Sequence, residues 1–187
     1  TDVAASGAAL LDDNSRVLTV TSPNGTTTLT GLIITGGRTT ADFADGGGVR
    51  SAGAITLTSS TVSGNSTSGS YSRGGGIASF GTTTLTNSTV SGNSTSGEDA
   101  DGGGIASFGI TLTDSTVSGN SISGDFADGG GIYSRRNTTL TNSTVSGNST
   151  SGDFAPGGGI FSGYDTRSEE RRVGKECSLL CRSRWGA

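Results

Sequence analysis

The sequence predicts an all-β chain: a single right-handed parallel β-helix of about five to six coils, with three short strands per coil. Three observations carry this. Glycine triplets followed by an aliphatic residue recur at Gly46-Gly47-Gly48-Val49, Gly74-Gly75-Gly76-Ile77, Gly102-Gly103-Gly104-Ile105, Gly129-Gly130-Gly131-Ile132 and Gly157-Gly158-Gly159-Ile160, in steps of 28, 28, 27 and 28 residues. The leucine of a T-L-T segment keeps the same steps, at Leu29, Leu57, Leu85, Leu112 and Leu140. So do an aliphatic residue five positions on (Ile34, Val62, Val90, Val117, Val145) and, three further, Gly37 and then Asn65, Asn93, Asn120 and Asn148.

Each element follows from local chemistry. The G-G-G-I-x-S, T-L-T and S-T-V-S segments are rich in β-branched residues, and their apolar and polar positions alternate with period two. In Thr84-Leu85-Thr86 the leucine faces one side and the threonines the other. Leu85 and Val90 are an odd number of residues apart, so both face inward only if the chain turns between them. Asn87-Ser88 supplies that corner, and Ser91-Gly92-Asn93 the next. The 27-residue step fits a one-residue deletion in a loop between Ile105 and Leu112. Stacked coils turn repeat positions into columns about 4.8 Å apart. The Asn65, Asn93, Asn120 and Asn148 column is then placed to bond amide to amide along the axis.

Composition removes the alternatives. Glycine is abundant (34 residues), yet there is no G-X-Y period and only 2 prolines, which excludes collagen. The Gly, Ser and Thr content of every repeat excludes a helical solenoid. At 29% hydrophobic residues the chain is too poor in apolar side chains for a conventional globule. It suits a quasi-one-dimensional fold in which each repeat buries a small cluster against its neighbours. No apolar run is long enough to span a bilayer in this fragment. A start at Thr1 with no initiator Met and no leader reads as a fragment whose ends carry further function.

The pairing of G-G-x-I with a downstream aliphatic-S-G-N, as in Gly102-Gly103-Gly104-Ile105 and Val117-Ser118-Gly119-Asn120, resembles the repeats of polymorphic outer-membrane proteins and autotransporter-like β-helix passenger domains. Those repeats carry G-G-A-I and F-x-x-N; here Gly stands for Ala, and Val or Ile for Phe. The resemblance covers roughly residues 17–163. It implies a secreted or cell-surface protein, at a bacterial outer membrane, with an adhesive or structural role and no catalytic residues. Host or cell-surface glycans or proteins are the implied partners.

Two regions are expected. Residues 1–166 form the repeat region, net −7, and residues 167–187 a tail, net +3. The tail, R-S-E-E-R-R-V-G-K-E-C followed by S-L-L and C-R-S-R-W, closely resembles a translated sequencing adapter, so it is read as non-native and set aside. Its Cys177 and Cys181, at face value a half-site for metal or a disulfide, form a lone C-x3-C in a chain without histidine. Its arginines are for the same reason not read as a nucleic-acid patch, and no nucleic-acid partner is expected.

The absence of His removes Ser-His and Cys-His nucleophiles and imidazole metal sites. The glycine triplets lack the lysine and the helix of a phosphate loop. The loops before the triplets are acidic, and stacking puts Asp101 near Asp128, and Glu98 near Asp125 and Asp153. Calcium is the cofactor these loops could take, with Asp101, Asp125 and Asp128 as ligands; the competing expectation is that they splay into water. No coil carries an out-of-pattern cluster of Asp, Lys and Arg, and Arg135-Arg136 is the only basic pair of the repeats, so no catalysis is expected in this fragment. The alternative is a piece of a polysaccharide-active β-helix enzyme whose active coils lie elsewhere. A further alternative rests on Thr28/Thr30, Thr56/Thr58, Thr84/Thr86, Thr111/Thr113 and Thr139/Thr141. These T-x-T pairs resemble the faces of ice-binding β-solenoids, although threonine is also simply a good exposed strand residue. N-S-T triplets at Asn65, Asn87, Asn93, Asn142 and Asn148 match glycosylation acceptors and are by-products of the repeat.

Overall fold

A computed structural model describes residues 15–164 and 166–168. Among these the chain is a stack of short strands, all pairings parallel, in three sheets: one of 10 strands and two of 5. The register repeats the sequence period. Leu29 pairs with Leu57, Leu57 with Leu85, Leu85 with Leu112 and Leu112 with Leu140. The Ile34, Val62, Val90, Val117 and Val145 column and the Val49, Ile77, Ile105, Ile132 and Ile160 column stack in the same way. These three columns are the core, buried throughout. A narrow interior of Leu, Ile and Val explains how so little apolar content suffices: each residue is covered by its own copy above and below.

The three sheets are distributed differently from the sequence expectation. The G-G-G-I and T-L-T segments belong to one sheet, and in two coils they fuse into the continuous strands Ile77–Thr86 and Ile105–Thr113. The T-V-S segments, such as Thr89–Ser91, form the second sheet. The third is made of two-residue strands after the asparagine, Arg38–Thr39, Ser66–Thr67, Ser94–Thr95, Ser121–Ile122 and Ser149–Thr150. Two residues are too few to show alternation, so this sheet leaves no periodic mark in the sequence. Its inward column is Thr39, Thr67, Thr95 and Ile122, all buried. The threonines escape an orphaned hydroxyl by donating to loop carbonyls, as from Thr95 Oγ1 to Ala100 O at 2.9 Å.

The 27-residue step is absorbed inside a strand and not in a loop. The register of Ile105–Thr113 against Ile77–Thr86 shifts between Ser107 and Gly109. One residue fewer bends the strand locally while Leu112 still stacks on Leu85.

The glycine triplet has three separate causes. Gly74 has φ +69, outside the range of ordinary side chains. A Cβ on Gly75 would lie 2.2 Å from Ser94 O, and one on Gly76 2.8 Å from Gly104 O and 2.9 Å from Asn93 Cγ. The third glycine therefore leaves the space that the asparagine column fills.

At that column Asn65, Asn93, Asn120 and Asn148 are buried. Asn65 Nδ2 donates to Asn93 Oδ1 at 2.9 Å, Asn93 Nδ2 to Asn120 Oδ1 at 3.0 Å, and Asn120 Nδ2 to Asn148 Oδ1 at 2.9 Å. A serine column at the preceding corner works in parallel. The backbone N–H of Ser60 donates to Ser88 Oγ, that of Ser88 to Ser115 Oγ and that of Ser115 to Ser143 Oγ, each at 3.1 Å. The last described strand, Thr166–Ser168, pairs with Thr138, Thr139 and Leu140, so the ladder crosses the seam expected between 166 and 167. Residues 169–187, including Cys177 and Cys181, lie outside the described residues.

Candidate functional site

The outward residue of the G-G-G-I-x-S strand breaks the repeat. Down one column stand Arg50, Ala78, Ala106, Tyr133 and Phe161, in register. Two alanines beside three large side chains, one guanidinium and two aromatic, leave a trench. Ala78 and Ala106 are almost fully covered although they point outward, because neighbouring side chains rise on both flanks. Two positions along the same strands stand Phe80 and Phe108, aromatic only in the two alanine coils. The result is a cavity of about 150 Å³ floored by Ala78 and Ala106 and walled by Phe80, Phe108, Tyr133 and the charged Asp45, Arg73 and Arg135.

Its walls are held. Arg50 lies over the Phe80 ring at 5.0 Å and Arg136 over the Phe108 ring at 4.5 Å, fixing both rings from the outer side. Tyr133 stacks on Phe161 at 5.6 Å. Arg73 Nε donates to Asp101 Oδ2 at 3.1 Å, the one ion pair among the described residues. Arg73 N–H donates to Asp45 Oδ1 at 2.8 Å. The charged residues thus come from four successive coils, one or two from each. The sequence expectation weighed charges coil by coil, whereas this grouping draws on four coils and exists only once they stack. The legible signal was the size change at position x, Arg-Ala-Ala-Tyr-Phe, together with Phe80 and Phe108.

Burial sets the electrostatics behind the wall. The Asp101 carboxyl is raised above its ordinary range, chiefly by burial, against the opposing pull of its bond from Asp128 N–H and of Arg73. Asp128 is pushed up to about 6 by burial and by the like charges of Asp101 and Asp99. Burial, then Asp101, also raises the Tyr133 phenol.

The three residues expected as calcium ligands do not converge. Asp101 and Asp128 share one column, while Asp125 lies in another, where its Oδ1 accepts from Asp153 N–H at 2.8 Å. Asp101 Oδ1 accepts from Asp128 N–H at 3.1 Å. Among the described residues no three acidic, His or Cys side chains form a metal-holding group. The loop carboxylates instead bond the amides of the next coil, as Asp42 does for Ser70 N–H at 2.9 Å.

The T-x-T threonines fall into two columns in register over five coils, Thr28 to Thr139 and Thr30 to Thr141. They lie on the same broad sheet as the trench, partly exposed.

Beside the trench is a second, open depression of about 510 Å³ lined by Thr82, Gly109, Thr111, Asn137, Thr139 and Tyr164 among others. It sits at the one-residue deletion, and the Phe108–Arg136 pair divides it from the first.

Compared with known families, the chain matches the one described as right handed beta helix region over residues 6–168. The chain belongs to the right-handed β-helix family. The coil is therefore right-handed, the hand expected of parallel strand-to-strand crossovers. No curated protein and no solved structure matches this β-helix. Membership in this family fixes the architecture and leaves the chemistry of the trench to its own residues.

Proposed function

We propose that this β-helix is the structural and adhesive repeat region of a secreted or surface-exposed bacterial protein, and that it binds a neutral saccharide in the Ala78–Ala106 trench without cleaving it. One observation carries the reading: the only two coils with alanine at the outward position are the two with Phe at the wall, which builds a sugar-sized cavity on an otherwise repetitive surface. Aromatic faces suit the apolar C–H face of a pyranose, and Asp45 and Arg135 suit its hydroxyls as acceptor and donor. Asp101 engages Arg73, which leaves Asp45 and Arg135 as one charge of each sign at the cavity and favours an uncharged ligand. Surface exposure draws its support from the resemblance of the repeats to passenger domains. No helix long and apolar enough to cross a membrane is present among the described residues.

Binding without cleavage rests on the placement of the carboxylates. Asp101 and Asp128 stand behind the wall, and Asp101 is engaged by Arg73, so no second carboxylate faces Asp45 across the trench. Titration with the methyl glycosides of glucose, galactose, mannose and N-acetylglucosamine, by calorimetry or ligand-observed NMR, tests the proposal. At least one should bind to the wild type and lose binding in Ala106→Leu, whose longer side chain fills the floor. No binding by any of them, or equal binding to the filled variant, overturns it. Release of shorter products from a polysaccharide by the purified chain would replace it with the enzymatic reading.

A second reading draws on the two threonine columns. Their register supports binding to an ordered lattice of water, which thermal hysteresis measured on the purified chain would reveal; freezing and melting at one temperature removes it.

A further inference from the structure

The loop ahead of each glycine triplet has one position that is aromatic in four coils and a carboxylate in the middle one: Phe43, Tyr71, Asp99, Phe126 and Phe154. All five have φ between 52 and 59, a backbone that suits Asp and disfavours bulky rings. The loops run in register, since Tyr71 N–H donates to Glu98 O at 2.8 Å and Asp99 N–H to Asp125 O at 3.0 Å. We propose that the slot Asp99 leaves between Tyr71 and Phe126 binds a quaternary ammonium group of the trimethylammonium class. This site is separate from the trench and does not depend on its saccharide reading.

Shape comes first. Phe43 stacks on Tyr71 at 5.1 Å and Phe126 on Phe154 at 5.4 Å, with interplanar angles of 6° and 4°. Each pair follows the coil spacing, so the free faces of Tyr71 and Phe126 turn toward the coil of Asp99. Two coil spacings of about 4.8 Å set those faces about 10 Å apart. A cation midway lies about 5 Å from both rings, within the roughly 6 Å reach of cation–π attraction. A planar guanidinium, packing at about 3.5–4 Å, is too thin to touch both rings, whereas a rounded trimethylammonium group fills the width. The rings take no part in the core, and Tyr71 at 45% and Phe126 at 51% exposure leave the slot open to solvent.

Charge agrees with shape. Residues 98–101 and 125–128 contain Glu98, Asp99, Asp101, Asp125 and Asp128 and no basic residue. Arg73, the one basic side chain of the five loops, is turned to Asp101. Beyond the effect of burial, Asp99 adds to the repulsion that raises the Asp101 and Asp128 carboxyls, and a cation beside Asp99 relieves it.

The repeat supplies its own probe. Asp99→Phe gives the middle coil the residue that Phe43, Phe126 and Phe154 already carry on the same backbone, and it fills the slot with a fifth ring. The experiment titrates the whole chain with choline, by calorimetry and by ligand-observed NMR of the methyl singlet. Choline should bind saturably and about tenfold more tightly than dimethylbutanol, its neutral carbon isostere, because the rings and the carboxylate act on charge. Asp99→Phe should abolish binding. Phe126→Ala, which removes one wall at an exposed position, should weaken it by about fivefold or more. Asp99→Asn keeps the shape and should weaken it by several-fold, with the loss shrinking as salt is raised. Ala106→Leu, which fills the trench, should leave choline binding unchanged. Capture of phosphatidylcholine vesicles by the wild type but not by Asp99→Phe assigns the group to a lipid headgroup; choline binding without vesicle capture assigns it to a soluble carrier.

No saturable choline binding overturns the proposal, as does equal affinity for the neutral isostere. Wild-type affinity in both Asp99→Phe and Phe126→Ala overturns it too. Loss of choline binding in Ala106→Leu would move the cation into the trench and likewise overturn the slot.

Discussion

Asn93 donates from Nδ2 to Oδ1 of Asn120 at 3.0 Å, and the backbone N–H of Asn93 reaches the same oxygen at 3.0 Å. One side-chain carbonyl thus closes two bonds from the coil next to it. The other Nδ2 hydrogen goes to Val62 O at 3.0 Å, so the buried amide is fully used. The corner and its stacking on the next coil are the same interaction.

Asn93→Ala should therefore cost more than one hydrogen bond. It removes the acceptor for both Asn65 N–H and Asn65 Nδ2 and strips Val62 O and Asn120 Oδ1 of a donor, all in a buried corner. The expected loss is about 2–4 kcal/mol in urea unfolding, since each orphaned buried group carries its own penalty. A change under about 0.5 kcal/mol, the range of ordinary surface substitutions, would contradict the ladder.

Two glycines separate steric from conformational need. Gly92 has φ +61 with nothing within 4 Å of an added Cβ, so Gly92→Ala should cost only the left-handed penalty of about 1–2 kcal/mol. Gly76→Ala has ordinary backbone but meets Gly104 O and Asn93 Cγ, and should lower the unfolding midpoint further by pushing apart two coils. Equal effects would mean the core relaxes around Gly76.

Thr138 Oγ1 is the one buried side-chain atom without a hydrogen-bond partner among the described residues. Its coil neighbour is Ile110, which it opposes in register. Thr138→Val keeps the shape and removes the orphaned hydroxyl, and should stabilise by about 1 kcal/mol. A destabilised variant in thermal unfolding would show that the hydroxyl is satisfied in solution.

Asp128 gives the fold a pH dependence. Its carboxyl titrates at about 6 in the folded chain, above its ordinary 3.8. The folded state then binds the proton more tightly than the unfolded one, so stability falls as pH rises from about 4 through about 6. Asp128→Asn should flatten that slope and raise the denaturation midpoint at pH 7 while changing little at pH 4. An unchanged pH profile would show that burial, with Asp101 and Asp99 beside it, does not raise this carboxyl.

The sequence by itself determined the coil: the 28-residue period, the three aliphatic columns and the glycine triplets were all legible, because each repeats and each repeat faces the same neighbours. Leu85 had to turn inward once its flanking threonines were seen to alternate. The two-residue strands such as Ser94–Thr95 and the serine ladder were not legible, and of the register shift at Gly109 only the lost residue was, not its place inside a strand. Two residues show no period, and Ser88 reads as an ordinary strand or corner residue until the coil below presents Ser60 N–H. Of the candidate site, only the size change at Ala78 and Ala106 with Phe80 and Phe108 was legible; the tertiary structure decided its charged wall. Asp45, Arg73, Tyr133 and Arg135 lie up to 90 residues apart in the chain, and only stacking places them around Ala78 and Ala106. Periodicity reports what every coil shares, whereas a binding site is made by the places where adjacent coils differ.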